Sequence, residues 1–160
     1  MDDLLIRPWQ SSEEIRACAE IMAGSEPWIT FGRDFASSLA TLKRKDREVF
    51  VALTGESVAG FIILIPGGGL PGFIQSLAVR EDLRGRGIGT ALVKHAEERL
   101  FEDFPNVFLL CTDMNVRALK LYERLGYSVV GELPDFVARG HTEILMRKTI
   151  GPLNEFKNGF

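Results

Sequence analysis

Apolar positions along the chain recur with two periods, one suited to helices and one to strands. Leu4-Leu5-Ile6 is a short apolar run that reads as a strand. In "SSEEIRACAEIMA" the residues Ile15, Cys18, Ala19 and Met22 share one helical face. Ser11 and Glu14 have the spacing of a capping box, and Gly24 closes the helix. "SEPWITFGRD" has neither period and reads as a loop with two exposed aromatics, Trp28 and Phe31. A polar amphipathic helix follows over 34–44. "REVFVAL" and "VAGFIILI", joined at Thr54-Gly55-Glu56-Ser57, have the β-branched and aromatic content of a hairpin. "PGGGLPG" is a loop, dense in breakers.

The second half alternates strands with helices. "FIQSLAV" is a strand, and Gly87 to Phe104 fits a helix with Ile88, Ala91, Leu92, Ala96 and Leu100 on one stripe. Pro105-Asn106 ends it. "VFLLCT" shows little alternation and is expected to be buried on both faces. "NVRALKLYERLG" is a helix capped by Asn115 and stopped by Gly126. "YSVVGEL" and "HTEILMRKTI" are closing strands, the latter (141–149) an edge strand that, with the tail, could support a homodimer. The order β-α-α-β-β-β-α-β-α-β-β predicts an α/β fold. Its sheet is mixed and mostly antiparallel, with six to seven strands and about four helices. Residues 1–150 form one domain and 151–160 a tail.

Composition narrows the function. The chain has 160 residues, enough for one domain, and 46% hydrophobic residues suffice for a core. With a net charge of −3 and no long Lys/Arg run, it lacks the footprint of a nucleic-acid binder. The start, "MDDLLIRPW", is acidic where a signal peptide is basic. The longest apolar run, "VAGFIILI", is too short to span a bilayer, so a soluble, cytoplasmic protein with no membrane partner is expected. Cys18 and Cys111 sit in apolar contexts without metal-ligand spacing, which suggests two buried free thiols and no metal.

The chemistry concentrates in "SLAVREDLRGRGIGTAL" (Ser76 to Leu92). A dinucleotide fingerprint needs G-x-G-x-x-G, but starting at Gly85 its third glycine falls on Thr90, and starting at Gly87 on Leu92. A nucleoside-triphosphate loop needs G-K-[ST], and no lysine follows. R-G-R-G-I-G opening a helix still offers an anion site, because first-turn N–H groups lack partners and glycines admit close approach. Arg84 and Arg86 add charge at its mouth. The bland alternative is a tight turn with two solvated arginines.

The wider pattern resembles the acyl-CoA-binding motif of the GNAT superfamily of N-acetyltransferases, [RQ]-x-x-G-x-[GA]. Arg84, Gly87 and Gly89 match it, after a strand ending in Leu77-Ala78-Val79 and before a helix. A second segment, Asn115, Ala118, Tyr122, Gly126 and Tyr127, is similar to the family's N-x-x-A-x-x-x-Y-x-x-x-G-[FY]. The two cover residues 73–131. The resemblance implies acetyl-CoA as co-substrate in a cleft where two parallel strands, 73–79 and 107–112, splay apart. It would put the pyrophosphate on the backbone of Arg84, Gly85, Arg86, Gly87, Ile88, Gly89 and Thr90. Pantetheine would lie along Leu77, Ala78 and Val79, as an added strand does, with Asn115 and its helix on the other side.

The reaction implied is direct attack of a primary amine on the thioester, the acceptor being a small amine, an amino acid or a protein N-terminus. Tyr122 would protonate the departing thiolate, since a phenol of pKa ~10 stays protonated at neutral pH. A backbone N–H near Val79 would stabilise the oxyanion. No general base stands out: Gln75 and Ser76 occupy the strand where some family members carry an acid. Glu132, Asp135, His141 and Glu143 fall near the expected acceptor mouth but read as solvated. Asp113 reads as support for the helix start, His95 has no role, and Cys111 lacks an activating neighbour. Loops 24–33 and 133–142 would line the acceptor pocket with Trp28, Phe31 and Phe136 beside Glu26, Asp135 and Arg139. The missing strand carboxylate keeps open a second function, a catalytically silent module that binds or senses acyl-CoA.

Overall fold

A computed structural model describes residues 3–156 of the chain. The predicted order of elements is the observed one. β1 (Leu4–Pro8) precedes α1 (Ser12–Ala23) and α2 (Phe35–Leu42), then come β2 (Glu48–Thr54), β3 (Ser57–Ile65) and β4 (Phe73–Val79). The second half runs α3 (Ile88–Phe101), β5 (Asn106–Thr112), α4 (Val116–Arg124), β6 (Ser128–Pro134) and β7 (Thr142–Thr149). Beyond β7 the chain makes one 3-10 turn, Leu153–Glu155.

The seven strands form one sheet in the order β1-β2-β3-β4-β5-β7-β6. Every neighbouring pair is antiparallel except β4 and β5, which run parallel. After Ser57 the run "VAGFIILI" is apolar throughout because β3 is inside the sheet and covered on both sides. Ile62 and Leu64 pack with Leu92, Val93 and Ala96 of α3, whereas Phe61 and Ile63 pack with Ile15, Cys18 and Met22 of α1. The periodic residues expected to face inward from α1 are fully buried.

Four expectations change. The strand 141–149 is not an edge: β7 lies between β5 and β6, bonded to both, and β6 is the edge on that side. β5 does alternate, with Val107, Leu109 and Cys111 buried against the core and Phe108 and Leu110 only half-buried. Its second face carries no helix, and Leu110 looks into a cavity. Trp28 and Phe31 are half-buried cavity walls instead of exposed loop residues. The capping box of α1 is only half formed. Ser11 Oγ accepts from the Glu14 N–H at 3.2 Å, but the Glu14 carboxylate accepts from Gln10 N–H and from the Arg7 guanidinium.

Glycines set two close approaches beneath the cleft. Gly72 has φ +85°, and a Cβ there would strike the Asn106 carbonyl oxygen; its own carbonyl accepts from Phe108 N–H at 2.9 Å. Gly60 has an ordinary backbone, but a Cβ on it would lie 2.6 Å from the Ala78 carbonyl oxygen. β3 and β4 therefore lie against each other where β4 borders the cleft.

Candidate active site

β4 and β5 pair only at Phe73–Phe108 and Ile74–Leu109. Immediately beyond, the register of β4 against β3 jumps from Ile74 opposite Leu64 to Ser76 opposite Ile63, so Gln75 is an extra residue. Such a bulge bends its strand, and the two parallel strands separate from there on. The Gln75 side chain is held on one side, accepting from Arg47 Nε at 2.7 Å.

The separation leaves backbone groups of β4 facing the gap. Arg80 N–H donates to the Ala59 carbonyl at 2.8 Å, so Val79, opposite Gly60, falls on a pair that does not exchange hydrogen bonds with β3. The N–H and C=O of Val79, and by the same alternation those of Leu77, point away from β3 into the gap. The Val79 carbonyl is taken by Arg84 Nε at 3.1 Å, which leaves its N–H.

After Val79 comes a 3-10 turn, Glu81–Leu83, and then the glycine loop. Gly85 and Gly87 both have positive φ, +77° and +83°. Gly87 is the N-cap of α3 and supplies no side chain to cap it, so the N–H groups of Ile88, Gly89 and Thr90 have no intrahelical acceptor. A Cβ on Gly87 would meet nothing within 4 Å, so the space before these donors is open. That cradle fits an anionic group.

A cavity of about 460 Å³ occupies this corner; its wall includes Leu77 to Val79, Arg84, Gly85, Gly87 to Thr90, Asn115 and Ala118. Of the residues that the resemblance assigns to the cofactor or to proton transfer, only Arg86 and Tyr122 lie outside this wall: Arg86 is exposed, and Tyr122 lines the next cavity. Arg84 does not reach freely outward, since it is tied to Val79 and, at 3.4 Å, to Ser25 Oγ. Asn115 Oδ1 accepts from Ala118 N–H at 3.2 Å and starts α4. Two cations of this wall escaped the sequence reading, Arg117 and Arg124. Their signal was there: with Leu121 they repeat at helical spacing on one face.

The second cavity, about 890 Å³, shares Trp28, Leu77, Asn115 and Ala118 with the first. Tyr122, Cys111, Thr112 and Glu143 line its floor, and Phe31, Arg33, Leu133, Phe136 and Val137 its mouth. The 24–33 and 133–142 segments thus contribute as expected, and Gly67 to Leu70 of the loop before β4 were missed. Tyr122 is buried, its ring edge-on to Tyr127 at 5.8 Å. Burial, and then Cys111, push its phenol well above the ordinary value, so it carries its proton at neutral pH. Burial, and then Glu143, push the Cys111 thiol up to about 12, which removes it as a nucleophile.

The four groups expected at the mouth separate. Glu132 and Asp135 are exposed; Asp135 accepts from Gly140 N–H at 2.6 Å and closes its own loop. Asp113 does more than start a helix, because its carboxylate accepts from Thr142 N–H and its backbone N–H donates to the Thr142 carbonyl, tying β5 to β7. His141 Nδ1 stands 3.7 Å from Asp113 Oδ1. Glu143 departs most from expectation: it is 5% exposed, and its Oε1 is fully buried without a hydrogen-bond partner among the described residues. Burial raises its carboxyl above the usual carboxylate range; Thr112 opposes this, Asp113 adds to it and His141 opposes it. Glu26 accepts from Thr30, Arg139 stays out of the wall, and His95 packs edge-on against Phe50. Among the described residues no helix is long and apolar enough to cross a membrane.

A family model described as "Acetyltransferase (GNAT) family" matches residues 9–127. An S-(2-succino)cysteine N-acetyltransferase of Bacillus subtilis is 32% identical over 139 residues, 78% of this chain and 83% of that protein. An uncharacterised N-acetyltransferase of Methanocaldococcus jannaschii is 40% identical over 79 residues; the match spans 48% of this chain and about half, 51%, of that protein. The crystal structure of an aminoglycoside 6'-N-acetyltransferase complexed with coenzyme A superposes with a TM-score of 0.75 at 21% identity, covering 92% of this chain and 98% of that one.

Proposed function

Because the chain belongs to the acetyltransferase (GNAT) family, we propose that it moves an acetyl group from acetyl-CoA to a primary amine by direct attack. The observation that carries this reading is the opening between β4 and β5, where unpaired backbone groups of Leu77 and Val79 run into the bare N-terminus of α3. The N–H groups of Ile88, Gly89 and Thr90, with the glycine cradle from Arg84 to Gly87, hold the pyrophosphate. Arg117 and Arg124 add positive charge across the cavity. Leu77 and Val79 bond pantetheine amides as an added strand would, with Ala78 between them and Asn115 on the far wall. Arg86 contributes long-range charge from outside the wall.

The Leu77 N–H, in the wall shared by the two cavities, then stands as donor to the oxyanion of the tetrahedral intermediate. Tyr122 supplies the proton for the thiolate, a role that its raised pKa suits at any pH near neutral. The acceptor enters through the second cavity, whose mouth is aromatic and apolar. Relatives named for an amino-acid derivative and for an aminoglycoside support an amine acceptor without choosing one. Calorimetry tests the first half of the reading: acetyl-CoA binds to the wild-type protein, and absence of binding at millimolar concentration refutes it.

A further inference from the structure

Resting on that reading, we infer that Glu143 receives the acceptor's ammonium group and takes its proton, so that the substrate is an amine that arrives charged. Glu143 is the carboxylate on the floor of the acceptor cavity, near the start of β7, opposite Thr112 of β5 and Leu133 of β6. Its nearly complete burial would be costly for an unpaired charge. The chain supplies no Lys or Arg ion pair to offset it among the described residues. Oε1 is buried and unpartnered, a state that a bound ammonium relieves.

The groups around Glu143 support this use. From β5 comes Cys111, held neutral, and just after it Asp113, which sits beside His141 immediately before β7. From α4 comes Tyr122, also neutral, and from the loop before α2 comes Arg33, whose guanidinium donates to Thr41 Oγ1 at 2.6 Å. A carboxylate beside a neutral thiol and a neutral phenol, held above its usual pKa chiefly by burial, is a better proton acceptor than an exposed one. An alkylammonium of pKa ~10.4 has little free amine at pH 7, so such a group is needed.

The proton count closes. The first N–H bond of the ammonium breaks toward Glu143, and the freed lone pair forms the N–C bond at the thioester carbonyl. The C–S bond then breaks, Tyr122 protonates the sulfur, and Tyr122 regains its proton from the nitrogen of the collapsing intermediate. Glu143 returns its proton to solvent. The products are amide, free thiol and one released proton.

The test is E143Q beside E143D and wild type, with acetyl-CoA binding measured for each as the check on folding. E143Q is expected to bind acetyl-CoA like wild type, to lose roughly 10²-fold in kcat/KM at pH 7, and to regain activity as pH rises. E143D keeps the low-pH limb of the profile at a lower rate. In carbon NMR of labelled glutamates, one carboxyl of wild type titrates above the others and is missing in E143Q. Wild-type rates and an unchanged profile in E143Q, or no high-titrating carboxyl, overturn the inference while acetyl transfer stands. A wild type that acetylates no amine instead overturns the parent reading and this one with it.

Discussion

Gly60→Ala probes the geometry of the cleft through a residue that touches no ligand. The added Cβ would lie 2.6 Å from the Ala78 carbonyl oxygen, whereas real Cβ atoms stay at least 3.0 Å from such an atom. Both partners are backbone, so β4 must retreat by about 0.4 Å just where Val79 N–H faces the gap. Overpacking of this kind costs roughly 1–3 kcal/mol. For a chain of this size each kcal/mol lowers Tm by about 2–4 °C, so a fall of roughly 2–12 °C is expected in calorimetry. If a 1 Å misplacement costs about 10²-fold in rate, this shift lowers kcat roughly 5- to 10-fold. KM for acetyl-CoA changes less, because the glycine loop is untouched. Gly131→Ala is the control: its Cβ meets nothing within 4 Å and its φ is ordinary, so Tm and kcat stay at wild-type values. A Gly60→Ala protein that melts and turns over like wild type refutes the reasoning.

Three further outcomes are expected. Tyr122→Phe lowers kcat roughly 10²- to 10⁴-fold and leaves acetyl-CoA affinity, by calorimetry, near wild type; unchanged turnover removes the phenol from the mechanism. Asn115→Ala removes the side-chain cap of α4 and costs about 1 kcal/mol, read as a Tm lower by roughly 2–4 °C. Cys18 and Cys111 are both pushed up to about 12, chiefly by burial, so less than about one part in 10³ is thiolate at pH 8. A disulfide reagent therefore titrates neither in the native protein and both after denaturation; rapid native reaction of Cys111 contradicts its placement.

The elements were legible because local signals decide them: Ser11, Asn115 and Gly126 mark helix ends, and period marks the faces. The glycine loop was legible for the same reason, since a run of glycines before a helix has few uses. What escaped depends on pairing between distant segments. Nothing local in 141–149 says that β6 folds back outside β7, so the inner strand looked like an edge. The bulge at Gln75 is visible only against the register of β3. Glu143 looked solvated because its neighbours in sequence, His141 and Thr142, are polar; its burial comes from Thr112 and Leu133 across two strands. Arg117 and Arg124, by contrast, lay on a readable helical face and were passed over.

The central claim is acetyl transfer to an amine, and its most direct test is release of free thiol from acetyl-CoA across a panel of small amines, amino acids and peptide N-termini. The buried cysteines leave the thiol readout clean. At least one amine is expected to drive thiol release in one-to-one proportion to an acetylated product seen by mass spectrometry. Tight binding of acetyl-CoA with no thiol released by any amine would contradict it.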